Sequence, residues 1–192
     1  MKYLKVLIPV VLVLALGACA KPPQADIDAA RKAVAMAAAT PDIVTYAPDT
    51  LKSAQDKLAQ METELKAKHY DTTKNLAIEA KSTALTAAND AVKNKAQAQA
   101  DATNLVDALK KALPDADKKI AAARRVAGIK LDFATLTNSL IVAKAAVSDA
   151  EKDLAAGDYA TALQKATAVQ AQLNDGEKQI ADAIQVATSK KK

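Results

Sequence analysis

The sequence predicts an all-α protein, an elongated antiparallel helical bundle of about five or six helices that contains two related helical hairpins. Three observations carry that expectation. Alanine supplies 47 of the 192 residues, and it has the strongest helix propensity because it loses no side-chain entropy. Apolar residues recur at alternating spacings of three and four over long stretches, the period of one helix face. Strong breakers are scarce, with four glycines and six prolines, too few for the many turns of a sheet protein. The same composition makes a thin core. Phe133 and four tyrosines are the only aromatics, and alanine buries little area at ~25 cal/mol per Å². Long helices packed closely side by side are expected.

Residues 1–18 have the three parts of a secretory signal. Lys2 and Lys5 supply a positive start, Val6 to Leu16 an apolar run, and Gly17-Ala18 a small pair at which a peptidase can cut. A spanning helix needs about 20 apolar residues, whereas this run is broken by Pro9 and followed at once by Lys21-Pro22-Pro23. Leu16-Gly17-Ala18-Cys19 resembles the lipobox of bacterial lipoproteins, in which the cysteine thiol is acylated and becomes the first mature residue. The alternative is an ordinary cleaved signal with an incidental cysteine. Cys19 is the single cysteine of the chain, so it has no disulfide partner within it, and a covalent lipid gives the thiol a use. One acyl chain holds weakly; the several chains implied by the resemblance would anchor stably. Ala20 rather than Asp after the cysteine implies, by the same resemblance, the outer membrane.

Lys21 to Gln24 reads as a short spacer. Ala25 to Ala39 follows as a first helix, with Ile27, Ala30 and Val34 on one face, ended at Thr40-Pro41 because the residue before proline is pushed out of the helical region. A loop over Asp42 to Ala47 leads to Pro48, which suits the first turn of a helix. Leu51, Ala54, Leu58, Met61 and Leu65 then form the clearest seam. A break at Lys68-His69-Tyr70-Asp71 precedes a long helix capped by Asp71, with Ala77, Ala80, Ala84, Ala87 and Ala91 in register. It is expected to run to about Ala112 and to stop or kink at Pro114. A shorter helix over Asp115 to Ala127 ends at Gly128. Leu140, Ala143, Val147, Ala150 and Leu154 mark the next, Ala155-Ala156-Gly157-Asp158 the turn, and a final helix reaches about Thr188. Gly176 weakens that helix, and close helix approach is one reason to place it there. The organisation expected is a signal peptide over 1–18, a lipidated N-terminus and spacer over 19–24, a first helical region over 25–127, a second hairpin over 128–188 and a basic tail over 189–192.

The two best hairpins match at an offset of 89 residues. Leu51, Ala54, Leu58, Glu62, Leu65, Tyr70 and Ala77 fall on Leu140, Ala143, Val147, Glu151, Leu154, Tyr159 and Ala166. The tyrosine at the same place in both turns points to duplication. The element Tyr46-Ala47-Pro48-x-x-Leu51-x-x-Ala54-x-x-x-Leu58, followed by Tyr70 and an alanine-spaced helix, resembles the family called domain of unknown function 4398. Its members are short helical lipoproteins of bacterial envelopes, some fused to a peptidoglycan-binding module. The resemblance covers about Ala25 to Ala91 and more faintly Phe133 to Ile184, where the Tyr-Ala-Pro element is missing. It implies a helical fold and an envelope location, and brings no activity with it.

The charge is balanced. The net charge of +5 disappears when the leader lysines and the tail of Lys190, Lys191 and Lys192 are set aside, so no basic field for nucleic acid is expected. No catalytic, cofactor or metal site is expected either. His69 is the one histidine, whereas a metal site needs several N, S or O ligands, and no Gly-rich phosphate loop, HExxH or GxSxG occurs. Lys118, Lys119, Arg124 and Arg125 form the one internal basic cluster, read as a solvated face or as a contact for anionic lipid or glycan. Gly157-Asp158-Tyr159-x-x-Ala162-x-x-x-Ala166 resembles the inter-helix turn of tetratricopeptide repeats, whose paired helices form peptide-binding grooves; a plain antiparallel turn is the alternative. Lys192 is a candidate for covalent attachment to the cell wall, by resemblance to the abundant small lipoprotein of enteric outer membranes, which ends in a lysine joined to peptidoglycan.

These readings converge on a non-enzymatic lipoprotein, held by its lipid at the periplasmic face of the outer membrane. Its expected role is a structural or adaptor component of the envelope, with peptidoglycan, envelope proteins or a second copy of itself as partners. A periplasmic tetratricopeptide-like binding or chaperone module is the alternative.

Overall fold

The computed structural model describes residues 21–189, and the fold over them is six helices with no strand: α1 (Gln24–Ala38), α2 (Pro41–Tyr46), α3 (Pro48–Lys66), α4 (Tyr70–Ala123), α5 (Phe133–Ala156) and α6 (Tyr159–Ser189). The expected positions Leu16, Gly17, Ala18, Cys19 and Lys192 lie outside the described residues. At 1.5 Å per residue α4 is about 80 Å long, and every other helix packs along it. No helix among the described residues is long and apolar enough to cross a membrane.

Two cores lie end to end on α4. The first joins Ile27 and Val34 of α1, Leu51, Ala54 and Met61 of α3, and the alanine row Ala77, Ala80, Ala84, Ala87 and Ala91 of α4. The second joins Val106, Leu109 and Leu113 of α4, Leu136, Leu140 and Val147 of α5, and Val169, Leu173 and Ile180 of α6. Cross-helix pairs set the directions. Thr50 meets Asp90 and Lys57 meets Glu79, so α3 runs antiparallel to α4. Lys110 meets Glu151 and Arg124 meets Thr137, so α5 does the same further along. Lys165 meets Asp153 where α6 turns back on α5. The result is two up-down-up three-helix units that share one helix.

The offset of 89 holds in the packing. Ala54 and Ala143, and Ala77 and Ala166, are fully buried pairs at that spacing, and Ala80, Ala84 and Ala91 correspond to Val169, Leu173 and Ile180. The structure adds a third matching helix at an offset of 79. Ile27, Ala30, Val34 and Ala37 of α1 correspond to Val106, Leu109, Leu113 and Ala116 of α4, all buried. Arg31 and Lys110 stand at matching places and ion-pair with the matching acids Glu62 and Glu151. The far half of α4 therefore does for the second unit what α1 does for the first. Packing divides within α4, between Ala91 and Val106, so residues 106–123, grouped by sequence with the first region, belong to the second core.

Four local expectations are corrected. Pro114 does not end the long helix, which continues to Ala123, and no separate helix starts at Asp115. An interior proline costs ~3 kcal/mol through its missing donor and its clash with the previous turn. Burial of Leu113 and Ile120 on either side offsets that cost at ~1.5–3 kcal/mol per large side chain. The segment Asp42 to Ala47 is not a loop except at Ala47, since Pro41 at the first helical position begins α2, which runs to Tyr46. Six residues are too short a window for periodicity to reveal it. The long helix starts at Tyr70, with His69 rather than Asp71 at the cap position. There the Thr73 hydroxyl donates to the His69 carbonyl at 2.9 Å, and Lys68 turns the chain with φ 62°. Finally, a Cβ on Gly176 would meet Leu136 at an ordinary 3.6 Å, so close helix approach does not require that glycine.

Both ends of α5 carry defined caps. Asp132 caps α5, accepting from the backbone N–H of Ala134 and Thr135, and Gly157 closes the α5–α6 turn with φ 80°. Such contacts make acid stability predictable. Glu62 accepts two bonds from Arg31, at 2.8 and 2.9 Å, and this hydrogen bonding holds its carboxyl below the ordinary value of 4.5. Hydrogen bonds from Thr135 hold Asp132 below 3.8. A carboxylate with a depressed folded pKa contributes stability fully above its unfolded value and loses it as pH falls through the folded one. Thermal stability is therefore expected to hold from neutral pH to about pH 5 and to decline below about 4.5. Glu62→Gln should lower stability at pH 7 and flatten its part of that decline in a melting series; an unchanged pH profile would refute the assignment.

Candidate functional site

Chemistry-bearing side chains are mostly used up in local contacts. His69 Nδ1 lies 2.7 Å from Glu64 Oε2. Among the described residues, no group of three or more His, Cys, Asp or Glu is arranged to hold a metal ion. Two members of the basic cluster are ion-paired: Lys118 with Asp115 at 2.8 Å and Lys119 with Glu177 at 2.7 Å. Arg124 donates to Thr137 and lies 5.2 Å from the Phe133 ring. Arg124 and Arg125 are exposed and, among the described residues, stand in no ion pair.

Tyr46-Ala47-Pro48 is the corner between α2 and α3, and it joins the two units. Asn94 Nδ2 donates to the Tyr46 carbonyl at 2.7 Å, fixing the corner to α4. The Tyr46 hydroxyl accepts from the Ala160 backbone N–H at 3.3 Å, satisfying one of the free donors at the start of α6. Lys95 lies 5.9 Å from the Tyr46 ring centre and pairs with Asp42. The hydrogen bond to Asp42 holds its ammonium above the usual lysine range. Tyr159, at the α5–α6 turn, neighbours this corner through Ala160. The tyrosine, alanine and proline read as a family signature thus act as a structural joint.

One of several open grooves lies between α1 and α4 and is lined by no residue of α3. It encloses about 420 Å³. Ala33, Ala37, Ala84 and Ala88 line it, with Met36 and Leu85 beside them. Met36 and Leu85 are 61% and 57% exposed, an unusual position for large apolar side chains that have a core available. Ile78, Leu85 and Val92, all exposed, recur every seven residues on α4, which keeps them on one stripe. Lys32 and Lys81 also line the groove. Among the described residues, neither these two nor Lys74, one turn before Ile78, is in an ion pair. Sequence reasoning missed this face because its two walls lie about fifty residues apart. The seven-residue repeat at 78, 85 and 92 was the signal within reach, hidden by the stronger alanine row beside it.

Residues 25–103 match the family model described as Domain of unknown function (DUF4398). The match ends inside α4, where the first core gives way to the second. No curated protein and no solved structure matches the chain.

Proposed function

We propose that this protein is a non-enzymatic lipoprotein, anchored through Cys19 at the periplasmic face of the outer membrane, where it serves as a structural or adaptor component of the bacterial envelope. The observation that carries the reading is the ordered run Leu16-Gly17-Ala18-Cys19 directly after a basic start and an apolar stretch. Two further features support it. An 80 Å central helix suits a spacer or scaffold better than a reaction vessel, and the α1/α4 face offers apolar surface of the kind that marks interaction sites.

The alternative, a periplasmic binding or chaperone module, draws on the same groove and on the tight α5–α6 turn at Gly157. A pull-down with lipidated protein separates the two, since envelope or wall partners favour the adaptor and unfolded or small ligands the binding module. Intact mass of protein purified from its native envelope, with and without muramidase, tests the anchor. Acyl mass on Cys19 is expected, and additional muropeptide mass on Lys192 would make the protein a membrane-to-wall tether. Cys19→Ser should move the protein from the membrane pellet to the soluble fraction. An unmodified Cys19 would overturn the anchored reading.

A further inference from the structure

The two units supply an internal control for the exposed face of the first. At the offset of 89, Ile78, Leu85 and Val92 correspond to Thr167, Asn174 and Ala181, and at the offset of 79 Met36 corresponds to Asp115. The same fold is thus built with small or polar residues where the first unit has large apolar ones. The gap itself also differs. In the second unit Lys119 and Glu177 pair across it at 2.7 Å, whereas the corresponding places in the first, Thr40 and Ala88, line an open groove. Fold stability therefore does not demand the apolar stripe, and large apolar side chains left in water point to a partner.

We infer that the α1/α4 groove of the first unit receives an amphipathic helix with acidic flanks from a partner protein. Its apolar face would lie against Met36, Ile78, Leu85 and Val92, and its carboxylates would meet Lys32, Lys74 and Lys81. The alanine floor allows close approach by a helix, and the seven-residue spacing of the stripe matches the seam of a helix pair. In effect the incoming helix adds a fourth member to the α1/α3/α4 bundle. The unpaired lysines select the partner's charge. They also disfavour a second copy of this face, which would set lysine against lysine. A flat bilayer would touch the protruding side chains but not the floor set back between the helices.

This inference deepens the adaptor reading and rests on it for the class of partner. Its test is independent of the lipid, because it uses the chain from residue 20 onward, which retains all six helices. The probes are two synthetic three-heptad helical peptides with leucine at the seam, one flanked by glutamate and one by lysine, measured by fluorescence anisotropy at low and high salt. The glutamate peptide is expected to bind at least ~10-fold more tightly than the lysine peptide, and to weaken as salt rises. Leu85→Asp should reduce that binding by a similar factor with the circular dichroism spectrum unchanged. The double variant Lys32→Glu/Lys81→Glu should invert the preference between the peptides. No binding, or equal binding of both peptides, overturns the proposal. So does a concentration-dependent dimer, or binding to phosphatidylethanolamine–phosphatidylglycerol vesicles, that Leu85→Asp abolishes, since either result gives the face a different occupant. Failure of the anchor would appear at Cys19 instead and leave these outcomes readable.

Discussion

Met61→Ala is expected to destabilise the first unit by about 2–5 kcal/mol, the range for truncating a large buried side chain. Met61 is fully buried in a core whose other buried members are mostly alanines, with Leu58 and Leu65 packed against it. Where the loss falls in that range depends on how far Leu58 and Leu65, one turn to either side on α3, move into the vacated space. Leu109→Ala is the corresponding experiment in the second core, where Leu109 is 1% exposed. The two sites face separate cores some tens of ångströms apart along α4, so the double variant should be additive within ~0.5 kcal/mol. Urea denaturation followed by circular dichroism measures all three. A loss below 1 kcal/mol for either single variant would mean that its core collapses to fill the hole.

Gln99→Pro should be as damaging without touching either core. Gln99 is exposed and lies on α4 between the two cores. Proline there removes the hydrogen bond to the Lys95 carbonyl and crowds that turn, at a cost of ~3 kcal/mol or more. Pro114 is tolerated because Leu113 and Ile120 on either side of it are buried in the second core, whereas Gln99 and its neighbour Ala100 are exposed and lie in neither core. The units would then be joined mainly by a bent helix and the Tyr46 joint. A single unfolding transition is expected to broaden or split, and small-angle scattering should report a bend. Gln99→Ala is the control. An unchanged transition and an unchanged scattering profile would show that the Tyr46 contact alone holds the two units in line.

Much of the architecture was legible in the chain. The seam of Leu51, Ala54, Met61 and Leu65 and the seam of Leu140, Ala143, Val147 and Leu154 mark α3 and α5 because a strong apolar period has a single solution as a helix face. Gly157 marked its turn because a left-handed residue is needed there, and the offset of 89 pointed to related hairpins. Residues whose state depends on distant neighbours were not legible. Pro114 reads as a breaker in isolation and becomes an interior helix residue through α5 and α6. Alignment of α1 with the far half of α4 appears only when Arg31 and Lys110 are seen at matching acids.

Local propensity and apolar periodicity by themselves determined the helical class, the positions of most helices and the relation between the hairpins. These are short-range effects, decided by backbone entropy and by which side chains share a face. Tertiary structure alone decided that one helix serves two cores, that Lys119 of α4 pairs with Glu177 of α6, and that Met36 of α1 and Leu85 of α4 stand together on an open groove. Those outcomes depend on which surfaces compete for burial, and that competition is settled between segments far apart in the chain.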